Sequence, residues 1–66
     1  MSKVIKVKVR VKVFTEFGKW CLSEIRGLME GTELVGKFNP RYNAFDFKWK
    51  GGDAMLWVGH NAEIIE

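Results

Sequence analysis

The first part of the chain alternates strictly between apolar and charged residues. From Ile5 to Val13, every second residue is a β-branched Ile or Val, and the residues between them are Lys or Arg. Successive side chains of a β-strand point to opposite faces of a sheet, so this alternation predicts a half-buried strand. We predict a first strand over residues 4–14, with one buried face. Its other face carries the cations Lys6, Lys8, Arg10 and Lys12.

The spacing of apolar residues changes between Thr15 and Met29. Here apolar side chains recur at intervals of three and four residues, which is the period of one face of a helix, and Gly31 follows where a helix could end. Glycines inside the segment each lower the helix propensity by about 1 kcal/mol relative to Ala. The pattern predicts a helix, and a strand over Leu22–Met29 remains the alternative.

Four further strands are predicted in the remainder, separated by residues that favour turns. Asn39-Pro40 ends the first of these strands, and Gly51-Gly52-Asp53 is predicted to form a hairpin turn, followed later by a turn at Gly59-His60-Asn61. Gly36 lies inside a strand, which indicates a sharp bend or a close approach of backbone. The predicted strands are Leu34–Phe38, Ala44–Lys50, Ala54–Val58 and Ala62–Ile65. Five short strands with tight turns predict a mainly-β fold, a small and strongly bent five-stranded barrel with one short helix.

The length and composition restrict how such a domain can be stabilised. The 66 residues suffice for one domain, residues 1–66, and a chain this short buries only about 60% of the surface of its unfolded form. Cys21 is the only cysteine, which excludes an internal disulfide, and His60 is the only other soft zinc ligand. Because 47% of the residues are hydrophobic and the chain has five Phe, three Trp and one Tyr, we expect self-association and no cofactor or metal.

The positive charge is concentrated at the N-terminus. The net charge is +3, with five cations and no acid in residues 1–14, and six bases against eight acids in the rest. A cationic strand face can prevent edge-to-edge aggregation, or it can follow the phosphates of a nucleic acid, an effect that adds up when copies assemble.

Neither a membrane segment nor an enzymatic site is predicted. No window reaches the roughly 18 apolar residues of a spanning helix, and the N-terminus lacks the apolar region of a signal peptide. We therefore expect a cytoplasmic protein without a membrane partner, which also suits a single thiol. The chain has two serines and one His, with no nucleophile-elbow or phosphate-loop pattern. We expect a binding module, not an enzyme, and no small-molecule substrate.

The second half of the chain resembles the Sm-like family, which includes the Sm and LSm proteins and Hfq. The first motif of that family has two glycines among apolar positions, and residues 28–38 carry both, at Gly31 and Gly36. Tyr42-Asn43-Ala44-Phe45 stands where the family has an aromatic–Asp–x–aromatic element, and residues 56–65 are similar to its second motif. The resemblance implies an Sm-like (SH3-like) barrel, a homo-oligomeric ring, and binding of single-stranded RNA in RNA regulation or processing.

The same resemblance implies which residues contact RNA. Carried over position by position, it implies Arg41, Tyr42, Asn43, Phe45, Gly59, His60 and Asn61. Two polar residues of the family that help to hold a uracil base are replaced here, by Phe47 and Val58. We therefore expect weak base specificity, with affinity that rests on the cationic strand face and on stacking against aromatic side chains.

Alternatives remain for both fold and function. The family places a helix before its first strand, so here either residues 4–14 replace that strand, which we favour, or residues 22–29 form it. A structural or protein-interaction barrel that binds no nucleic acid would have the same fold and would use its aromatic surface for partner contacts. Residues 22–34 faintly resemble the signature of swapped-hairpin (AbrB-like) DNA-binding regulators, a hypothesis that leaves Gly36 and the Gly59 turn unexplained.

Overall fold

A curled, five-stranded antiparallel sheet and one short helix form the part of the chain described by the structure, a computed structural model of residues 4–66. The elements are β1 (Ile5–Val11), α1 (Glu16–Ser23), β2 (Glu33–Asn39), β3 (Ala44–Trp49), β4 (Gly52–Trp57) and β5 (Ala62–Ile64). The strand order is β4-β3-β2-β1-β5, and the sheet forms a half-barrel. The predicted fold class, mainly β with a strongly bent five-stranded sheet and one short helix, is confirmed.

β1 is the strand that the alternating sequence predicted. It lies between β2 and β5, and it is antiparallel to both. Val7, Val9 and Val11 are buried, and they form the core together with side chains of β2, β3 and β4. The strand ends at Val11, earlier than predicted, because both of its ladders stop there: β2 begins opposite Arg10, and β5 begins opposite Val11. β1 is therefore the first barrel strand.

The helix is shorter than its apolar pattern predicts. It begins after Thr15, whose Oγ1 accepts the N–H of Gly18 over 3.0 Å and caps the first turn. It ends at Ser23, so a helix that continues to Gly31 is wrong, and so is the alternative strand over residues 22–29. The chain turns after Ser23 and brings Leu28 into the core. The helix therefore stops at Ser23, and the segment that follows it packs Leu28 against the strands.

The hairpin between β3 and β4 turns one residue earlier than predicted. Trp49 and Gly52 are paired, so the turn consists of Lys50 and Gly51, with φ angles of +52° and +82°. A two-residue turn with positive φ at both positions matches the right-handed twist of the strands that it connects. This geometry moves Gly52 and Asp53 from the predicted turn into β4.

Gly36 marks the place where the sheet bends. β2 is paired with β1 from Glu33 to Phe38, but it is paired with β3 only from Lys37 onwards. A Cβ atom at Gly36 would overlap the carbonyl oxygen of Asp46 on β3. The predicted close approach of backbone is present, and only glycine leaves room for it.

Candidate nucleic-acid interface

Two loops that carry the predicted RNA-binding residues lie side by side. Residues 40–43 connect β2 to β3, and residues 58–61 connect β4 to β5. The N–H of Val58 donates to the carbonyl oxygen of Asn43 over 2.8 Å, and Val58 also forms a bridge to Ala62. The fold thus brings together residues from the two separate sequence motifs.

Tyr42 is the most accessible aromatic residue of this region. Its side chain is 58% exposed, and the guanidinium carbon of Arg41 lies 5.5 Å from the centroid of its ring. The loop is ordered by Asn39, whose Oδ1 accepts the N–H of Arg41 over 3.1 Å and whose carbonyl oxygen accepts the N–H of Tyr42 over 3.2 Å. An exposed ring next to a cation suits stacking of a base and contact with its phosphate.

Two of the predicted contact residues are instead structural. Phe45 has no exposed surface and its ring stacks on Phe47, with 5.5 Å between the ring centroids. Asn61 is also fully buried: its Oδ1 accepts the N–H of Trp57 over 2.7 Å, and its Nδ2 donates to the carbonyl oxygen of Gly18 over 3.2 Å. We therefore remove Phe45 and Asn61 from the candidate interface.

His60 is held in place by the helix. Its Nδ1 is hydrogen-bonded to Oγ1 of Thr15 at 2.8 Å, and its ring meets the ring of Phe17 edge to face, with 5.2 Å between centroids. His60 is only half-buried, and the neighbouring Gly59 is exposed. Both residues can still border the interface, but one ring nitrogen of His60 already has a partner.

Sequence reasoning did not identify the roles of Thr15 and Gly18 in this region. A Cβ atom at Gly18 would overlap the carbonyl group of His60, so the helix backbone rests directly on the 58–61 loop. The sequence feature that could have indicated these roles is Gly18 itself, a glycine within a predicted helix, which it weakens, three residues after Thr15, a favourable N-cap residue.

The predicted cationic strand face is partly neutralised. Nζ of Lys8 lies 3.2 Å from a carboxylate oxygen of Glu33, and the guanidinium of Arg10 lies 3.1 Å from Glu33 and 3.5 Å from Glu63. Hydrogen bonds from Lys8, which has the largest effect, and from Arg10 favour the charged carboxylate and lower the pKa of Glu33. Two of the four predicted cations are therefore engaged by neighbouring strands.

Lys6 and Lys12, the other two cations predicted for this strand face, form no ion pair within residues 4–66. Lys6 lies opposite Lys37 of β2, and Nζ of Lys12 lies 5.4 Å from the centroid of the Phe14 ring. Among residues 4–66, no carboxylate lies within ion-pair distance of Lys6, Lys12 or Lys37. Among the residues that the structure describes, Lys6 and Lys37 on the sheet and Lys12 just after β1 are therefore positive charges that no carboxylate neutralises.

An open hollow of about 570 Å³ lies where β2 and β3 separate. Its charged residues are two lysines and two aspartates, so it presents no excess of either sign, and it contains none of the predicted RNA-binding residues. The residues that line it are Val35, Gly36, Lys37, Asp46, Phe47, Lys48 and Asp53.

Residues 4–66 contain neither a cluster of metal ligands nor a helix long enough to span a membrane. In residues 4–66, no group of three or more His, Cys, Asp or Glu side chains is placed to hold a metal ion. The only helix within this range has eight residues, too few to cross a membrane. Comparison of the chain with protein-family models, with curated proteins and with solved structures gives no match.

Proposed function

We propose that the protein is an Sm-like barrel that assembles into a homo-oligomeric ring in the cytoplasm and binds single-stranded RNA, in RNA regulation or processing. The observation that supports this most is the ordered 40–43 loop, which presents the exposed ring of Tyr42 beside Arg41 and is hydrogen-bonded to Val58 at the start of the 58–61 loop. Stacking of a base on such a ring contributes about 1–3 kcal/mol and tolerates every base.

The proposed specificity is weak for a structural reason. The two motif positions that are polar in the Sm-like family are Phe47, a core residue, and Val58, which is half-buried and apolar. Neither side chain can hydrogen-bond to the edge of a base. Affinity would then come from Tyr42, Arg41 and the free lysines, which recognise features common to all nucleotides.

The two edges of the sheet support association between copies. The N–H of Trp57 donates to Oδ1 of Asn61, and its carbonyl oxygen accepts N–H groups of the same turn, so its backbone points away from β3. Backbone groups alternate in direction along an antiparallel strand, hence those of Met55 and Asp53 also point away from β3. Within residues 4–66, no strand covers this side of β4, and β5 forms the opposite edge. Pairing of β4 with β5 of the next copy is head-to-tail, and repeated around a closed rotation it forms a ring.

A titration of fluorescent A-, U- and G-rich RNA oligomers, followed by anisotropy at several salt concentrations, tests RNA binding. We expect similar affinities for the three oligomers and a steep decrease with salt, because counterions are released when phosphates are neutralised. Tyr42→Ala should weaken all three alike, whereas Tyr42→Phe, which keeps the ring, should bind like the wild type. A strong uridine preference that survives Tyr42→Ala would contradict the proposal.

The ion pairs of Glu33 and Glu63 favour a second candidate function. They neutralise Lys8 and Arg10, half of the strand face that would otherwise follow phosphates. This arrangement suits a structural or protein-interaction barrel that binds no nucleic acid. Absence of any RNA binding at low salt, with the protein fully folded, would favour this candidate over the first.

A further inference from the structure

A group of large aromatic side chains is exposed at the helix. Phe14 is 48% exposed, Phe17 49% and Trp20 64%. Phe17 and Trp20 are three residues apart on α1, so they are neighbours on its surface. Exposed aromatic clusters of this kind are typical of the centre of a protein–protein interface.

The helix that carries Phe17 and Trp20 is firmly attached to the barrel. The Phe17 ring lies against His60 and at 6.3 Å from the ring of Trp57, and the backbone of Gly18 contacts the 58–61 loop. A shallow groove of about 270 Å³ lies along the same helix, lined by Glu16, Lys19, Trp20 and Ser23. The surface therefore offers a projecting indole and an adjacent recess on a rigid support.

The charges beside the groove indicate which kind of partner fits. Glu16 and Lys19 lie three residues apart on one side of α1 and carry opposite charges. A nucleic-acid backbone or an anionic membrane would be attracted by a net positive surface, which this pair does not provide. A partner surface complementary to this pair places a positive charge opposite Glu16 and a negative charge opposite Lys19. An antiparallel copy of the same helix provides both charges.

We infer that α1 packs against α1 of a second copy of this chain, antiparallel and about a two-fold axis. In this arrangement Trp20 of each copy enters the groove of the other, and Glu16 lies opposite Lys19 of the partner subunit. A two-fold contact of this kind uses the same patch on both copies and closes as a dimer. It involves neither β4 nor β5, so it does not depend on the proposed ring or on RNA binding.

Sedimentation equilibrium of the full chain tests the dimer, in the wild type and in Met55→Pro, where the edge of β4 cannot pair. We expect a monomer–dimer equilibrium in the Met55→Pro variant. Trp20→Ala in the same background should weaken the dimer at least about tenfold, since a buried Trp is a frequent hot spot. Val35→Thr, an exposed apolar residue on β2, is the matched control and should leave the dimer unchanged. A monomer at every concentration in the wild type, or equal weakening by both substitutions, would overturn the inference.

Charge reversal tests the two-fold arrangement itself. Lys19→Glu and Glu16→Lys should each weaken self-association, because each places like charges opposite each other. Mixing the two single variants should restore dimers between them, since both contacts then join opposite charges. If Glu16 and Lys19 interacted only within their own helix, mixing would not restore association, because residues 16 and 19 of each variant chain would still carry like charges. Circular dichroism and thermal melting check that both variants fold, and failure of the mixture to recover would overturn the antiparallel arrangement.

Discussion

The side-chain amide of Asn61 donates to the carbonyl oxygen of Gly18, 43 residues earlier in the chain, over 3.2 Å. The same side chain accepts the N–H of Trp57, so a single buried residue connects α1, the end of β4 and the last turn. We expect Asn61→Ala to lower the free energy of unfolding by about 2–4 kcal/mol, since it leaves buried backbone groups without partners. Urea denaturation measures this change. Asn61→Ala with wild-type stability would show that the helix is attached by other contacts.

Gly18→Ala is expected to lower the stability of the protein, although the same substitution in a helix usually raises it. In an exposed helix, replacing Gly by Ala stabilises by about 1 kcal/mol. At Gly18 the added Cβ atom overlaps the carbonyl group of His60, so we expect the substitution to destabilise the protein. Glu24→Ala, at an exposed residue just after the helix and outside the proposed dimer contact, is the control and should be close to neutral in the same thermal-melting experiment. A higher melting temperature for Gly18→Ala would mean that the helix does not rest on the 58–61 loop.

Gly36→Val tests the bend of the sheet. Valine favours strands, and on propensity alone this substitution should stabilise β2. Because a Cβ atom at this position overlaps the carbonyl oxygen of Asp46, we expect a loss of several kcal/mol in the free energy of unfolding. Lys37→Val, the exposed neighbour on the same strand, should retain the parent stability. A Gly36→Val variant that melts at or above the parent temperature would mean that β2 and β3 are not in close contact there.

The carboxylate of Glu33 makes stability depend on pH. Hydrogen bonds from Lys8 and Arg10 lower its pKa in the folded state below the ordinary 4.5. The unfolded chain therefore binds the proton more readily, so the stabilisation is present above pH 4.5 and is lost as the pH falls through the lowered pKa. We expect the unfolding free energy of Glu33→Gln to decrease less on acidification than that of the wild type. An unfolding free energy of Glu33→Gln that decreases as much on acidification as that of the wild type would contradict this role of Glu33.

Met55→Pro examines the ring without affecting the barrel. The N–H of Met55 points away from β3, so proline removes a donor at the free edge while the β3–β4 ladder remains intact. Light scattering should show a mass several times that of the 7.6 kDa chain for the wild type, and a smaller assembly for the variant. Leu56→Pro, which removes a bond to β3, is the control and should unfold the domain. A wild-type protein that is monomeric at micromolar concentration would exclude the ring.

Much of the candidate site could be located from the sequence, but its exposed surface could not. Turn residues place Tyr42 and Gly59 in loops, and both are exposed as a loop residue should be. Phe45 and Asn61 stand next to them in the same motifs, yet both are fully buried. Burial depends on which side of the bent sheet is covered, and the covering residues come from distant parts of the chain. The position of a motif therefore does not determine which of its side chains meets solvent.

The sequence alone determined the alternation of residues 5–11, the turns at residues 39–40 and 59–61, and the close approach at Gly36, because these features depend on residue type and on backbone sterics. The tertiary structure decided the rest. Arg10 acquires its carboxylate partners from residues 23 and 53 positions away, through the pairing of β1 with β2 and β5. Gly18 is required by a loop near the other end of the chain, and Leu28, which follows the end of the helix, enters a core formed mainly by the strands. Strand register and helix packing join residues that are far apart in sequence, and no local pattern specifies such pairs.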